Sequence, residues 1–468
     1  MTTLYWHDYE TWGTDPSVDR ACQFAGVRTN DKLEIVGEPL VIYCRPPADI
    51  LPRPEACLVT GISPQEANRK GLSERAFIAR IHEEFVQPQT CVVGYNSLRF
   101  DDEVTRYMLY RNYYDPYERE WRNGNSRWDI IDMVRLTYAL RPEGIEWPMV
   151  DGAPSFKLEN ICSANGIGHE RAHDAYSDVE ATIALARLVL SAQPNLYHYA
   201  FSHRSKKMLA PLIHLDERRP LLHISSRFPA VNGCASLIAP VAMHPTNKNA
   251  VIVFDLRADP EPLAKLSAEQ IRERVFVSQD ELPDGESRIP LKLVHLNKCP
   301  ILATPKLLDQ RASERLNIDK SLCEQHWYKL RSMDVVSKLS AVFEQVDFAQ
   351  RHDAERKLYE GFVGDEDKGT MAQLRQCSGE ELARHSFVFH DERLNAMLLP
   401  YKARNFPESL SPAEQHEWQD WVMGRLQYGD DGILSVDQYL SQIAALSETY
   451  HHDAHKLGLL KQLYDYVS

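Results

Sequence analysis

The stretch His7-Asp8-Tyr9-Glu10-Thr11 follows the apolar run Leu4-Tyr5-Trp6 and ends at the turn residues Gly13, Asp15 and Pro16. Leu4 to Trp6 reads as a β-strand. Residues i and i+2 of a strand share a face, so Asp8 and Glu10 project from the same side. Two carboxylates held side by side repel, and the arrangement persists most easily with a cation between them. Hard divalent ions such as Mg²⁺ take oxygen ligands and usually borrow only one or two carboxylates per site. The same residues also suit a solvated strand end, so the reading depends on whether other carboxylates join them.

The 468 residues are too many for one ordinary core and point to two or three domains. A hydrophobic content of 43% with 26% charged residues is that of a globular, soluble protein. No stretch is apolar for long enough to cross a bilayer, and Met1-Thr2-Thr3 runs into a strand without a basic and then greasy leader, so a cytoplasmic protein with no membrane partner is expected. Nine cysteines, scattered from Cys22 to Cys377 with no C-x-x-C pair, support neither a zinc site nor a disulfide framework. With 53 basic and 67 acidic residues the net charge is −14, which argues against indiscriminate nucleic-acid binding; any polyanion must be met by localised positive charge.

Beyond the opening strand, Cys22–Arg28 and Glu34–Cys44 read as two further strands of a meander. A helix capped by Ser73 is expected through Phe85, a buried strand over Cys91–Tyr95, and helices over Asp101–Tyr110, Trp128–Leu140, Phe156–Asn165 and Ala175–Leu190. This order predicts an α/β domain with a mixed sheet flanked by helices. The pattern breaks near Ala192-Gln193-Pro194-Asn195. Short strands at Leu221–Ser225, Ala235–Ala239, Ala250–Phe254 and Leu291–Leu296 then predict a small β-barrel or sandwich, and helical periodicity dominates from about Asp347. The expected domains are residues 1–192, 195–347 and 348–468.

Two more acidic blocks can meet the first. Gly94-Tyr95-Asn96-Ser97-Leu98-Arg99-Phe100-Asp101 follows a buried strand and opens a helix, where Asp101 could also be a simple N-cap. In His173-Asp174-Ala175-Tyr176-Ser177-Asp178 a long amphipathic helix begins; Asp174 is the natural N-cap, leaving Asp178 without a capping role. Two-metal phosphoryl transfer needs acidic residues from separate elements to hold ions about 3.5–4 Å apart. A nearby base takes a proton from water, and histidine, with a reference pKa of about 6.5, suits that role. Asp8, Glu10, Asp101 and Asp178 can supply ligands, and His173 the base.

Asp-x-Glu on the first strand, Asn-x-x-x-Phe-Asp after a central strand and His-x-x-x-x-Asp at a late helix resemble the histidine branch of the DEDD 3′-to-5′ exonuclease family. The blocks HDYETWGTDP (7–16), GYNSLRFDDEVTR (94–106), NSRWDIIDMVR (125–135), ALRPEGIEWP (139–148) and KLVHLNKCPIL (292–302) resemble the bacterial exonuclease I group within it. The resemblance runs along nearly the whole chain and is less clear in the C-terminal third. It implies a ribonuclease H-like nuclease domain, an SH3-like β domain and a helical C-terminal domain that together close round single-stranded DNA. By motif it makes Asp8, Glu10 and Asp178 metal ligands, Asp101 the fourth acid and His173 the general base, with Glu10 and His173 also meeting substrate. Mg²⁺, two ions per site, is the implied cofactor, with Mn²⁺ as a substitute. Single-stranded DNA-binding protein is the implied partner, and a monomer is expected.

Single-strand binding calls for aromatic faces and a positive track. The segment from Arg106 to Trp128 interleaves both. Tyr110 and Trp128 occupy apolar helical positions and are expected in the core, whereas Tyr117 and Trp121 lie in a polar, turn-rich stretch and are candidates for base stacking. Arg106, Arg135 and Lys157 are candidate phosphate contacts, and Arg204–Lys207 with Lys292 or Lys298 could extend the track. The expected activity is 3′-to-5′ hydrolysis of single-stranded DNA to mononucleotides in repair and recombination. A 3′-to-5′ exoribonuclease is the nearest alternative, because the acidic set does not read the 2′-hydroxyl; a non-catalytic single-strand binder would have no need of the carboxylates.

Overall fold

A computed structural model of the chain describes residues 2–169, 173–344, 351–429 and 432–468. The chain divides into two compact units, Met1–Ser126 with His169–Ile183 and Gln350–Ser468, and Arg127–Gly168 with Ala184–Ala349.

In the first unit β1 (Thr3–Thr11) pairs antiparallel with β2 (Ala21–Thr29), which pairs antiparallel with β3 (Leu40–Tyr43). This is the expected meander, although of the 34–44 run only Leu40–Tyr43 forms a strand and Ile35 contributes a single bridge. On its other side β1 runs parallel to β4 (Thr90–Gly94). The strand order of the unit is β3-β2-β1-β4, and the next strand along the chain, β5 (Ser126–Asp129), falls almost wholly in the second unit. The central position of β1 explains its burial on both faces. Tyr5 and Tyr9 pack with Phe24, Phe77, Phe85 and Met108, while Asp8 and Glu10 alternate to the opposite face. The register of β1 against β2 shifts between Glu10 and Thr11, and such irregularities commonly re-aim side chains beside functional sites.

Helices α1 (Pro54–Thr60), α2 (Pro64–Lys70) and α3 (Glu74–Phe85) follow β3, and α4 (Asp101–Arg111) follows β4. Ser73 caps α3 as expected, its side chain accepting the Ala76 N–H. Gly94, at the end of β4, has no room for a side chain: a Cβ there would lie 2.5 Å from the Ser97 Cβ and 3.3 Å from the His7 carbonyl.

The C-terminal helices belong to this first unit and are joined to its N-terminal segment by buried ion pairs. Arg404 donates to Asp49 (2.7 Å) and also pairs with Glu355, Arg20 donates to Glu355 (2.7 Å), and Arg425 bridges Asp49 (3.0 Å) and Asp353. Burial opposes ionisation of Asp49 and Glu355, but the guanidinium of Arg404, together with Arg425 at Asp49 and with Arg20 and Arg111 at Glu355, outweighs it and holds both below the usual carboxylate range. Removing one partner from such a set leaves an uncompensated buried charge.

In the second unit, α5 (Ile131–Leu140) begins three residues later than the sequence pattern suggests: Trp128 lies in β5, and Asp129 Oδ1 accepts the Ile131 N–H at the start of the helix. A short hairpin of β6 (Met149–Val150) and β7 (Ala153–Pro154) and helices α6 (Leu158–Ala164) and α7 (Ala175–Ala192) follow. The antiparallel sheet of the second unit contains β8 (Leu221–Ile224), β9 (Ala235–Met243), β10 (Ala250–Asp255), β11 (Leu291–His295) and β12 (Ile301–Ala303), in the order β11-β10-β9-β8-β12. Leu221, Ile238, Val251, Val253, Val294 and Leu302 form its core. Strand β12 and the helices Gln310–Arg315, Lys320–Arg331 and Val336–Glu344 were not among the expected elements. All nine cysteines are free thiols, eight of them buried. Among the described residues no helix is long and apolar enough to cross a membrane.

Candidate active site

The three acidic blocks are brought to one end of the first unit's sheet. Asp101 is the first residue of α4, and its Oδ1 accepts the backbone N–H of Tyr9 at 3.2 Å. It is not the helix cap: Phe100 holds that position and makes no side-chain capping bond. Asp174 does cap α7, accepting the Ser177 N–H, which leaves the Asp178 carboxylate on the first turn for other use.

Ligand atoms of Glu10, His173 and Asp178 all lie within 4.8 Å of one another. Asp8 joins them electrostatically. Burial, followed by the charges of Asp101, Glu10 and Asp178, pushes the Asp8 carboxyl well above the usual carboxylate range. Burial and then Asp178 and Asp101 push Glu10 up to about 8. Asp178 is also raised by burial, with His169 and His173 pulling the other way. Clustered carboxylates, two of them, Asp8 and Glu10, raised by their acidic neighbours, with an imidazole beside them, form a donor set of oxygen and nitrogen that fits hard or borderline divalent cations.

Two features were not anticipated. His169 places Nε2 against Asp178 Oδ1, making it a second histidine on the same carboxylate. Beneath the site, Arg119 donates to Asp102 at 2.7 Å in a pair with almost no exposure, and its guanidinium lies 4.9 Å from the Phe85 ring centre. An arginine after an acidic tract carries no pairing information in sequence, whereas His169, four residues before His173, was a readable signal.

The candidate DNA-binding residues divide by burial. Tyr110 and Trp128 are in the core, as expected. Trp121 is 66% exposed, and Tyr117 is half-buried against Phe362, which is 86% exposed. Arg106 is only 6% exposed, against the expectation of an open phosphate contact. It donates to Glu120 and Glu103 and lies 5.3 Å from the Tyr117 ring centre, so a phosphate there would compete with two carboxylates. In the second unit Arg135 is paired with Asp132 over the Phe156 ring, and Lys157 is exposed. Of the cations expected to extend the track, Lys207 and Lys298 are exposed, but Lys292 turns inward, its Nζ 2.9 Å from His223 Nε2.

Comparison with known proteins gives the same picture along the whole length. The family described as "Exonuclease" matches residues 5–186, "Exonuclease I SH3-like domain" residues 204–345 and "Exonuclease I C-terminal domain" residues 352–468. Exodeoxyribonuclease I of Haemophilus influenzae is 46% identical over 99% of this chain and 98% of its own. Escherichia coli exonuclease I in complex with a dA16 oligonucleotide superposes with a TM-score of 0.97 at 44% identity, covering 100% of this chain and 99% of that one. A zinc-bound form of the E. coli enzyme with single-stranded DNA matches with a TM-score of 0.95 at 44% identity and the same coverage. A ribonuclease H-like nuclease fold, an SH3-like sheet and a helical C-terminal region, with relatives of this name matching end to end, mean that the chain belongs to the exonuclease I family.

Proposed function

We propose that Asp8, Glu10, Asp101, Asp178 and His173 carry out hydrolysis of the 3′-terminal phosphodiester of single-stranded DNA with two Mg²⁺ ions. As a member of the exonuclease I family the chain is an exodeoxyribonuclease, releasing 5′-mononucleotides in the 3′-to-5′ direction. The observation that carries the catalytic reading is the convergence of Glu10, His173 and Asp178 within 4.8 Å, on two separate elements, with Asp8 and Asp101 raising the local negative charge. Asp8, Glu10 and Asp178 would hold the ions, with Mn²⁺ able to substitute. Bound divalent metal supplies charge stabilisation for the attacked phosphate and a water acidic enough to ionise near neutral pH.

The protein's own residues divide the remaining work. Asp101 fixes the start of α4 to β1 through Tyr9, so the acids of both elements keep one geometry. His173, exposed at the mouth of the cluster, takes the proton of the attacking water. Glu10 and His173 also border the terminal nucleotide. Tyr117 and Trp121 offer ring faces to bases, Arg135 and Lys157 offer charge to phosphates, and Arg106 acts by supporting the Tyr117 ring. The functional division is the nuclease domain 1–192, the SH3-like domain 195–347 and the C-terminal domain 348–468. The chain works in the cytoplasm as a monomer, in DNA repair and recombination, with single-stranded DNA-binding protein as its partner.

The general base is the most exacting part of this reading. His173→Ala should lower turnover by roughly 10²–10⁴-fold and flatten the acidic limb of the rate profile, with metal affinity little changed. A collapse of metal affinity in that variant would instead make His173 a ligand.

A further inference from the structure

Asp178 carries two histidines, and their surroundings differ. His173 is exposed, adopts a left-handed backbone conformation (φ 65°) and has a ring nitrogen close to both Glu10 and Asp178. The His169 side chain is 7% exposed, has Nε2 on Asp178 Oδ1 and has a buried Nδ1 with no hydrogen-bond partner among the described residues. A histidine able to serve an incoming water must be reachable, whereas one that fixes another side chain is best kept from solvent.

We propose that His169 is a positioning residue that orients the Asp178 carboxylate for metal binding. The inference rests on the reading of Asp178 as a metal ligand. The main chain of Asp178 is fixed by α7, its N–H donating to the Asp174 carbonyl at 3.0 Å, but the carboxylate can still turn about its side-chain bonds. Like charges repel, so a free Asp178 carboxylate would tend to turn away from Glu10, although the structure holds ligand atoms of the two within 4.8 Å of one another. The His169 Nε2–H pins Oδ1 and leaves the other oxygen for an ion. This is the outer-layer support that metal-ligating carboxylates commonly receive, and its loss typically costs about 10–100-fold in metal affinity or activity. The two histidines then have separate tasks, His169 acting on the ligand and His173 on water.

Mn²⁺ binding to the full-length, EDTA-stripped protein, followed by electron paramagnetic resonance, separates these roles, with thermal unfolding in EDTA as the control for folding. His169→Ala should weaken Mn²⁺ binding by about 10–100-fold, and His169→Gln, whose amide N–H can still donate to Asp178, should recover most of that loss. His173→Ala should shift Mn²⁺ affinity far less than His169→Ala. Wild-type Mn²⁺ affinity in His169→Ala, alongside lost affinity in Asp178→Asn, would overturn the positioning role alone. A loss in His169→Ala accompanied by early melting and not rescued by glutamine would also overturn it, since the histidine would then be a packing residue. Unchanged affinity in Asp178→Asn would remove the metal-ligand reading itself.

Discussion

Asp101 Oδ1 accepts the Tyr9 N–H at 3.2 Å, tying the first residue of α4 to the residue between Asp8 and Glu10. Thr105 strengthens the junction, its Oγ1 lying 2.8 Å from the Asp101 carbonyl and 3.0 Å from the Tyr9 hydroxyl. Asp101 therefore serves both the charge of the site and the alignment of two elements. Asp101→Asn keeps an acceptor for Tyr9 and removes the charge, so it should lose turnover with its stability preserved. Asp101→Ala should lose turnover and also about 1–3 kcal/mol of stability, because the Tyr9 N–H is left unpaired. Urea unfolding of the two variants checks this, and equal stabilities would contradict the linking role.

Glu10 gives the metal-free protein a pH dependence of predictable sign. Its carboxyl is pushed up to about 8, chiefly by burial and then by Asp178 and Asp101. A carboxyl with a raised folded pKa binds its proton more tightly when folded, so its share of stability is full below the ordinary value of 4.5 and is lost as the pH rises toward 8. In EDTA at pH 8, Glu10→Gln should therefore be more stable than wild type by roughly 2–4 kcal/mol, and the gain should shrink toward pH 5. Melting curves across this range test the claim; a gain independent of pH would mean that the substitution acts by packing instead.

Trp121 and Arg106, close in sequence, should give opposite signatures. Trp121 is exposed, so Trp121→Ala should melt like wild type and weaken single-strand binding by about 1–3 kcal/mol if one base stacks there. Arg106 is held by Glu103 and Glu120 beneath Tyr117. Arg106→Ala should melt early and weaken binding without changing its salt dependence. Fluorescent-oligonucleotide binding over a salt series in EDTA provides the readout. A slope shallower by about 0.7 in Arg106→Ala would show a direct phosphate contact instead.

Local patterning made much of this site legible. Alternation put Asp8 and Glu10 on one face, and the spare carboxylate after the Asp174 cap singled out Asp178. Asp101 was ambiguous because helix-capping and site aspartates look alike in sequence; only the partner, a backbone N–H 92 residues away, separates them. Trp128 was read as helical because an apolar residue just before an amphipathic run matches either a first turn or the end of a short buried strand. Arg106 looked open because sequence gives composition and not pairing, and Glu120, 14 residues on, closes it off. His169, four residues before His173, was visible in the sequence, but its partner Asp178, nine residues on, was not.

The central claim, that this acidic cluster removes nucleotides one at a time from a 3′ end, is tested most directly with 5′-labelled single-stranded DNA, resolved by product length. Wild-type protein in Mg²⁺ should give a ladder of labelled products shortening from the 3′ end, while EDTA or Asp178→Ala should leave the substrate intact, and equally labelled RNA and duplex DNA should persist. Immediate release of the label as a mononucleotide, or a normal ladder from Asp178→Ala in Mg²⁺, would contradict the account.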